Sequence, residues 1–143
     1  MKEQNTRVNV QFSDDEGRTE MLPAIPVGGG LYRMDHSPSF AYGISKQDIF
    51  SVRTTDEGVL AMNEVVEKSG NRTVRLLLTR FSLDSPEIVA IQQKASELGC
   101  ECENLLPHMI TVNVPADSNL ISLTEFLIEQ HVWWEVADPV SGP

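Results

Sequence analysis

The sequence predicts an α+β fold in two halves: a small β-barrel or curled antiparallel sheet, packed on a ferredoxin-like β-α-β-β-α-β unit. The first half contains five or six short segments of alternating apolar residues, separated by turn residues. The second half mixes such segments with two stretches of helical periodicity. The change comes at "SGN", residues 69–71, which is too short for a flexible linker. We therefore assign residues 1–70 and 71–143 to two subdomains of one body.

In the first half, strict alternation indicates the first strand, because "RVNVQF" places Val8, Val10 and Phe12 on one face. The next strand, "TEMLPAIPV", contains Pro23 and Pro26, which cannot donate to a ladder. We expect this strand to be short, bulged or at an edge. A "GGG" turn joins it to "LYRMDH", and the turn "DEG" separates "DIFSVRTT" from "VLAMNEVVEKS". Short strands connected in this way are typical of a barrel or a strongly curled sheet.

The second half opens with an apolar strand, "TVRLLLT". Ser85 is the expected N-cap of the helix that follows, with Pro86 at its first position. "CECENL" and "MITVNV" are then two strands of a hairpin. The second helix begins either at the capping-box pattern "SLTE", residues 122–125, or nearer Asp117, and it ends at about Gln130. "VWWEVA" forms the last strand.

The segment "SPSFAYGISKQDIF", residues 37–50, predicts a structural corner rather than a catalytic site. Its glycine can adopt the positive φ of a tight bend, its aromatic residues can plug one end of the barrel, and its aspartate can accept backbone N–H groups. A catalytic alternative would pair that aspartate with His36, but no nucleophile or oxyanion donor accompanies them. The corner residues are Phe40, Tyr42, Gly43, Asp48 and Phe50.

Charge is the most informative bulk property of the chain. Asp and Glu number 21 against 11 Lys and Arg, for a net charge of -10. From Phe81 onward there are ten acidic residues and one base, Lys94. Such a surface repels nucleic acid and attracts a basic protein. The predicted central strands of the second half also lack the aromatic residues on which RNA-binding sheets stack bases.

No motif assembles a catalytic or metal-binding set. Cys100 and Cys102 form C-x-C with no second pair, so we expect buried thiols rather than a zinc site or a disulfide framework. The "GGG" turn leads into a strand, whereas phosphate-binding loops lead into a helix. We therefore predict no enzyme, no cofactor and no metal. The absence of an apolar N-terminal stretch and of long apolar runs predicts a cytoplasmic protein without a membrane span.

The predicted function is protein binding, most concretely by an immunity or antitoxin-like protein that neutralises a basic partner such as a toxin domain. Trp133 and Trp134 are adjacent in a strand, so their rings point to opposite faces. One ring can enter the core; the other covers the seam between the halves or is exposed as an anchor. The candidate partner-binding residues are Trp133, Trp134, Glu135, Asp138, Glu129, Glu101, Glu103 and Phe81.

A second hypothesis is a regulatory module that senses a small ligand through the ferredoxin-like half. Its site would be the loop after the first strand, "TRFSLDSPE", residues 79–87, which contains Arg80 and Phe81. A deep apolar pocket with a few convergent polar groups at this loop would favour the hypothesis.

Four separated segments, "SFAYGISKQDIFSV", "VVEKSGNRTVRLLL", "LGCECE" and "VWWEVADP", resemble a family of small, mostly bacterial proteins known as domain of unknown function 4265. The resemblance spans about residues 19–139. One position departs from the family pattern, because Gln47-Asp48 stands where we expect Gly-Asp. The departure concerns the tightness of the turn and not the placement of Asp48. The resemblance supports the fold prediction and implies no catalytic residues.

Overall fold

Two β-sheets and two helices make up the structure, a computed structural model that describes residues 6–138. The strands pair antiparallel apart from one parallel contact, which confirms the predicted α+β class. The elements in chain order are β1 (Val8–Ser13), β2 (Thr19–Gly28), β3 (Leu31–Met34), β4 (Ile49–Thr54), β5 (Leu60–Glu67), β6 (Arg72–Leu77), α1 (Pro86–Glu97), β7 (Glu101–Leu106), β8 (Met109–Val114), α2 (Leu120–Gln130) and β9 (Trp133–Asp138).

Strands β1 to β5 pair in a closed ring. Each strand pairs with the next, and the ring closes through a parallel contact between Gln11 of β1 and Ala61 of β5. Alternate side chains point inward, so Val10 and Phe12 are buried as the periodicity predicts. Phe50 lies beside Phe12, edge to face, with 5.4 Å between the ring centroids.

β2 is the longest strand of the ring although it contains two prolines. It runs for ten residues between β1 and β3, with Pro23 opposite Asn9 and Pro26 opposite Tyr32. The register shifts between Pro26 and Gly28. The expected bulge is therefore present, whereas a short or edge strand is not. A bulge tolerates the missing proline donor because it already interrupts the ladder.

The second half forms an antiparallel sheet in the order β7-β8-β6-β9. Both helices pack on one face of this sheet, where Val74 and Leu76 of β6 and Ile110 and Val112 of β8 belong to a shared core. The predicted succession of strand, helix, two strands, helix and strand is observed. Neither helix is long and apolar enough to cross a membrane, within residues 6–138.

The second helix begins before the capping-box pattern, so the alternative start nearer Asp117 describes it better. α2 starts at Leu120, because Asn119 is its N-cap and accepts the Ser122 N–H at 3.0 Å. Asparagine at this position caps the helix one turn before the "SLTE" pattern could. The first helix does begin at Pro86, but the side chain of Ser85 makes no cap hydrogen bond and accepts the N–H of Ser82 instead.

The predicted corner, residues 37–50, spans most of the connection between β3 and β4 and the first two residues of β4, and it differs in part from its prediction. Phe50 is buried in the core of the ring and Gly43 has the expected positive φ of 79°. Phe40 and Tyr42 lie outside that core, so the expectation that they plug the ring is wrong. Their segment turns instead toward the face of the second sheet that the helices leave open, where polar groups hold it.

Candidate functional site

Arg75 of β6 holds the corner against the second sheet. Its side chain is 2% exposed and points away from the helices. Its guanidinium donates to the carbonyls of Pro38 (3.2 Å), Phe40 (3.3 Å) and Ala41, and lies 3.4 Å from a carboxylate oxygen of Glu135. Burial lowers the pKa of Arg75 despite that carboxylate. Backbone carbonyls therefore hydrogen-bond a buried cation, and the cation in turn fixes the corner.

A second polar contact joins the halves through Lys68, whose side chain is 46% exposed. Its ammonium lies 2.6 Å from Oδ2 of Asp48 and 2.6 Å from Oδ2 of Asp138. The Ser45 hydroxyl donates to Asp138 at 2.5 Å and lies 2.7 Å from the Thr73 hydroxyl. Burial alone would lower the pKa of Lys68, but the two carboxylates outweigh burial and raise it. Both carboxylates are buried, and the partly exposed lysine is the member of the network that reaches the surface.

Asp48 makes the contacts expected of a corner residue. Its carboxylate accepts the N–H groups of Ser45 and Ser69, each at 2.8 Å. The catalytic alternative paired Asp48 with His36, but Nδ1 of His36 lies 3.6 Å from the carboxylate of Glu103 instead. Asp48 is 0% exposed. Its geometry is that of a structural carboxylate.

Most of the predicted partner-binding acids lie in the seam between the halves. Glu101 and Glu103, on the edge strand β7, lie 3.1 and 3.9 Å from the ammonium of Lys46. The carboxylate of Glu135 accepts a hydrogen bond from the Tyr42 hydroxyl. Asp138 is buried, so its assignment to a partner-binding surface is wrong. The sequence does not reveal these contacts because they depend on which sheet face the corner covers.

The two tryptophans point to opposite faces of β9, as predicted. Trp134 packs on the helical core, and Trp133 is 49% exposed. Trp133 lies beside Leu77 in the strand register, and Leu77 lies beside Met109. The three side chains form an apolar row at the end of the sheet, next to the corner.

Two clefts flank Phe40 at the seam. One has a volume of about 300 Å³ and apolar walls that include Met21, Leu22 and Leu106. The other, of about 150 Å³, is lined by the apolar row and by Tyr42, Arg18, Arg75 and Glu135. The Glu20 carboxylate accepts the N–H groups of Ser39 and Phe40 and so positions Phe40 between the clefts. Both clefts lie away from the 79–87 loop, where the sequence predicted a ligand site.

The helix layer comprises α1, α2 and the loops 78–85 and 115–119. It holds six acidic residues against two bases, and none of the six makes an ion pair within residues 6–138. Phe81 packs against the helical core and is half-buried. The guanidinium of Arg80 lies 5.8 Å from the centroid of its ring. Glu129 is exposed on α2. The acids of the layer are Asp84, Glu87, Glu97, Asp117, Glu125 and Glu129.

The sequence analysis missed two exposed residues of α2, Ile121 and Ile128. They are 68% and 58% exposed, the highest values among the large apolar side chains that the structure describes. A signal was present in "LISLTEFLIEQ", which contains more apolar positions than one buried stripe requires. Leu123 and Leu127 form the buried stripe.

The two cysteine thiols are free and face the helical core. Burial raises the pKa of Cys102 to about 11, with a smaller contribution from Cys100. Burial also raises the pKa of Cys100. Thiolate is the form that binds metal and attacks electrophiles, so both groups are poorly suited to either role. Within residues 6–138, no group of three His, Cys, Asp or Glu side chains is arranged to hold a metal ion.

Comparison with known proteins identifies the family of this chain. A family model described as "Domain of unknown function (DUF4265)" matches residues 20–136. Among solved structures, a hypothetical protein from Neisseria gonorrhoeae superimposes with a TM-score of 0.73 at 16% identity, over 99% of this chain and 100% of that one. At that identity, the likeness shows the fold alone. No curated protein matches. The family match spans most of the chain, which confirms the resemblance found in its segments: the chain belongs to the DUF4265 family.

Proposed function

We propose that this protein is a non-enzymatic binding protein that neutralises a basic partner, in the manner of an immunity or antitoxin protein. One observation carries the proposal: the helix layer holds six acids against two bases, and none of those acids makes an ion pair within residues 6–138. By contrast, five basic side chains lie within 4 Å of a carboxylate on the ring or in the seam: Arg7, Arg18, Lys46, Lys68 and Arg75. The acids of the helix layer have no such partners within residues 6–138.

Unpaired carboxylates on one layer generate a negative potential on that side of the molecule. Such a field raises the association rate of a basic protein and orients it before contact. It also makes binding sensitive to salt, because exposed charges are screened within about 8 Å at physiological ionic strength. A basic toxin domain has the charge that this surface would bind.

Charge-neutralising variants with a matched control test the proposal. Glu125→Gln/Glu129→Gln removes two charges from the helix layer, and Glu57→Gln/Glu67→Gln removes two from exposed positions on the ring. Basic proteins captured from the host lysate at low and moderate salt are identified and purified, and their affinities for the three proteins are compared. Weaker binding to the first variant alone supports the proposal; equal binding to all three, or no basic protein captured, contradicts it.

We also propose finer descriptions of the two halves. The strand order β7-β8-β6-β9, with both helices on one face, supports a ferredoxin-like arrangement of residues 71–138. The closed pairing of β1 to β5 supports a small barrel for the first half. An experimental structure compared with each fold class would test both assignments.

We infer a second candidate function from the cleft of about 300 Å³ beside Phe40, namely the binding of a small apolar ligand. Its size is at the lower end of ordinary ligand pockets, and its walls are mostly apolar with His36 and Glu20 at the margin. A thermal-shift screen of small apolar compounds tests it. A compound that stabilises the wild type but not a Leu106→Glu variant would support this function, whereas equal shifts in both would place the ligand elsewhere.

A further inference from the structure

The outer face of α2 combines large apolar and acidic side chains. Ile121, Glu125, Ile128 and Glu129 are all exposed, and at 100° per residue they lie within an arc of about 100°. The opposite face of the helix is buried through Leu123 and packs on the sheet. The face of a surface helix opposite its buried stripe normally carries charged and polar residues, so two large isoleucines on the exposed face of α2 depart from that pattern.

A groove runs beside this stripe, between the two helices. It has a volume of about 200 Å³ and is lined by Lys94, Ser122, Glu125, Phe126 and Glu129. The ammonium of Lys94 lies 5.9 Å from the ring of Phe126. The stripe and the groove together place two exposed apolar side chains beside two carboxylates. An amphipathic helix that carries apolar and basic residues is complementary to that pattern.

The charges of the stripe select its occupant. In a symmetric dimer across α2, Glu125 and Glu129 of both copies would enter the same interface, and like charges in an interface oppose association. A partner with lysine or arginine beside its apolar residues would instead place opposite charges together. A purely basic segment without apolar residues would leave Ile121 and Ile128 exposed to water.

We propose that the outer face of α2 is the docking surface for a basic amphipathic helix of a partner protein. This inference rests on the proposed function and specifies its site and the form of the partner segment. Ile121 and Ile128 pack against apolar side chains of that helix. Glu125 and Glu129 pair with its cations.

The test uses synthetic peptides as probes, because the partner itself is unidentified. One peptide is an amphipathic helix of lysine and leucine; the second has the same lysine count with serine in place of leucine. Binding is measured by calorimetry to the wild type, to Ile121→Gln/Ile128→Gln, and to Val27→Thr/Val66→Thr. The last variant removes two exposed apolar side chains from the ring as a matched control. Glutamine retains good helix propensity, so the first variant should remain folded.

We expect the isoleucine variant to bind the amphipathic peptide about tenfold more weakly than the wild type, since it loses apolar area buried in the complex. The valine variant should bind as the wild type does. Equal affinity of the isoleucine variant and the wild type would overturn the docking site. If the isoleucine variant binds as tightly as the wild type but Glu125→Gln/Glu129→Gln binds more weakly, the proposed acidic surface still stands. If neither pair of substitutions weakens peptide binding, both the docking site and the proposed acidic surface are overturned.

Discussion

The guanidinium of Arg75, from the second sheet, lies 4.8 Å from the ring centroid of Tyr42, from the corner of the first half. This contact crosses the seam and accompanies the hydrogen bonds from Arg75 to the corner carbonyls. The two halves are therefore joined by polar and aromatic contacts rather than by a continuous apolar core. The two apolar clusters of the structure, one within the ring and one beneath the helices, share no residue.

Replacing Arg75 should destabilise the protein strongly. Arg75→Met keeps much of the side-chain volume but leaves the carbonyls of Pro38, Phe40 and Ala41 without their donor. Buried acceptors that lose their partners cost about 1–3 kcal/mol each, so we expect a loss of about 3 kcal/mol in the free energy of unfolding. Urea denaturation measures the change. A loss below about 1 kcal/mol would show that water or another donor replaces the guanidinium.

Replacing Lys68 should destabilise the protein less, and in a pH-dependent way. Lys68→Met leaves Asp48 and Asp138 as a buried like-charge pair. Because the ammonium is partly exposed and screened by solvent, we expect a loss of about 2 kcal/mol near neutral pH. The pKa of Lys68 is raised in the folded state, so its stabilising effect is present below 10.5 and is lost as the pH rises through the folded value.

Stability curves of the wild type and Lys68→Met at several pH values provide the measurement. Their difference should be constant from neutral pH to about 10 and should shrink at higher pH. A difference independent of pH would mean that Lys68 stabilises by packing alone.

Gln47 occupies a conformation that ordinarily favours glycine. Its φ is 75°, at the position where the family pattern led us to expect glycine. A side chain in the left-handed region costs about 1 kcal/mol, partly offset because glycine is more flexible when unfolded. Gln47→Gly should therefore leave the free energy of unfolding unchanged or raise it by up to about 1 kcal/mol. Gly43→Ala, at φ 79° with no atom within 4 Å of the added carbon, should lower it by about 1 kcal/mol. Thermal unfolding of both variants measures these changes. A large loss of unfolding free energy in Gln47→Gly would refute this account of the turn.

The cysteines should react slowly in the native protein. With its pKa raised to about 11, Cys102 is almost entirely un-ionised at pH 8, and thiolate is the reactive form. We expect modification by a chromogenic disulfide reagent to be about a hundredfold slower than in denaturant. Rapid reaction of either thiol in the folded protein would contradict the burial described here.

The sequence predicted most of the fold because its patterns are local. Alternation located β1, and the apolar run "TVRLLLT" located β6. Of the two predicted starts of α2, the capping-box pattern lies too late in the chain, because Asn119 accepts the Ser122 N–H and caps the helix three residues earlier. The bulge in β2 was one of three alternatives, because proline excludes a donor without showing how the ladder accommodates its loss.

The candidate site was harder to predict because it depends on contacts between distant segments. Asp138 and Glu103 look like surface acids in the sequence, yet the corner, about 90 and 66 residues earlier in the chain, covers them. Ile128 looks like a core residue, yet it faces solvent. Charge counts predicted an acidic second half but could not show that its unpaired acids collect on the helix layer.

The most direct test of the central claim is to map where a basic amphipathic helix binds. Amide chemical shifts of the labelled protein are followed during titration with the lysine–leucine peptide at moderate salt. We predict that the shifts concentrate on α2 and the adjoining groove, around Ile121, Glu125 and Ile128, and leave the clefts beside Phe40 unchanged. Shifts centred on Trp133 and Phe40, with α2 unaffected, would contradict the account and would place partner binding at the seam.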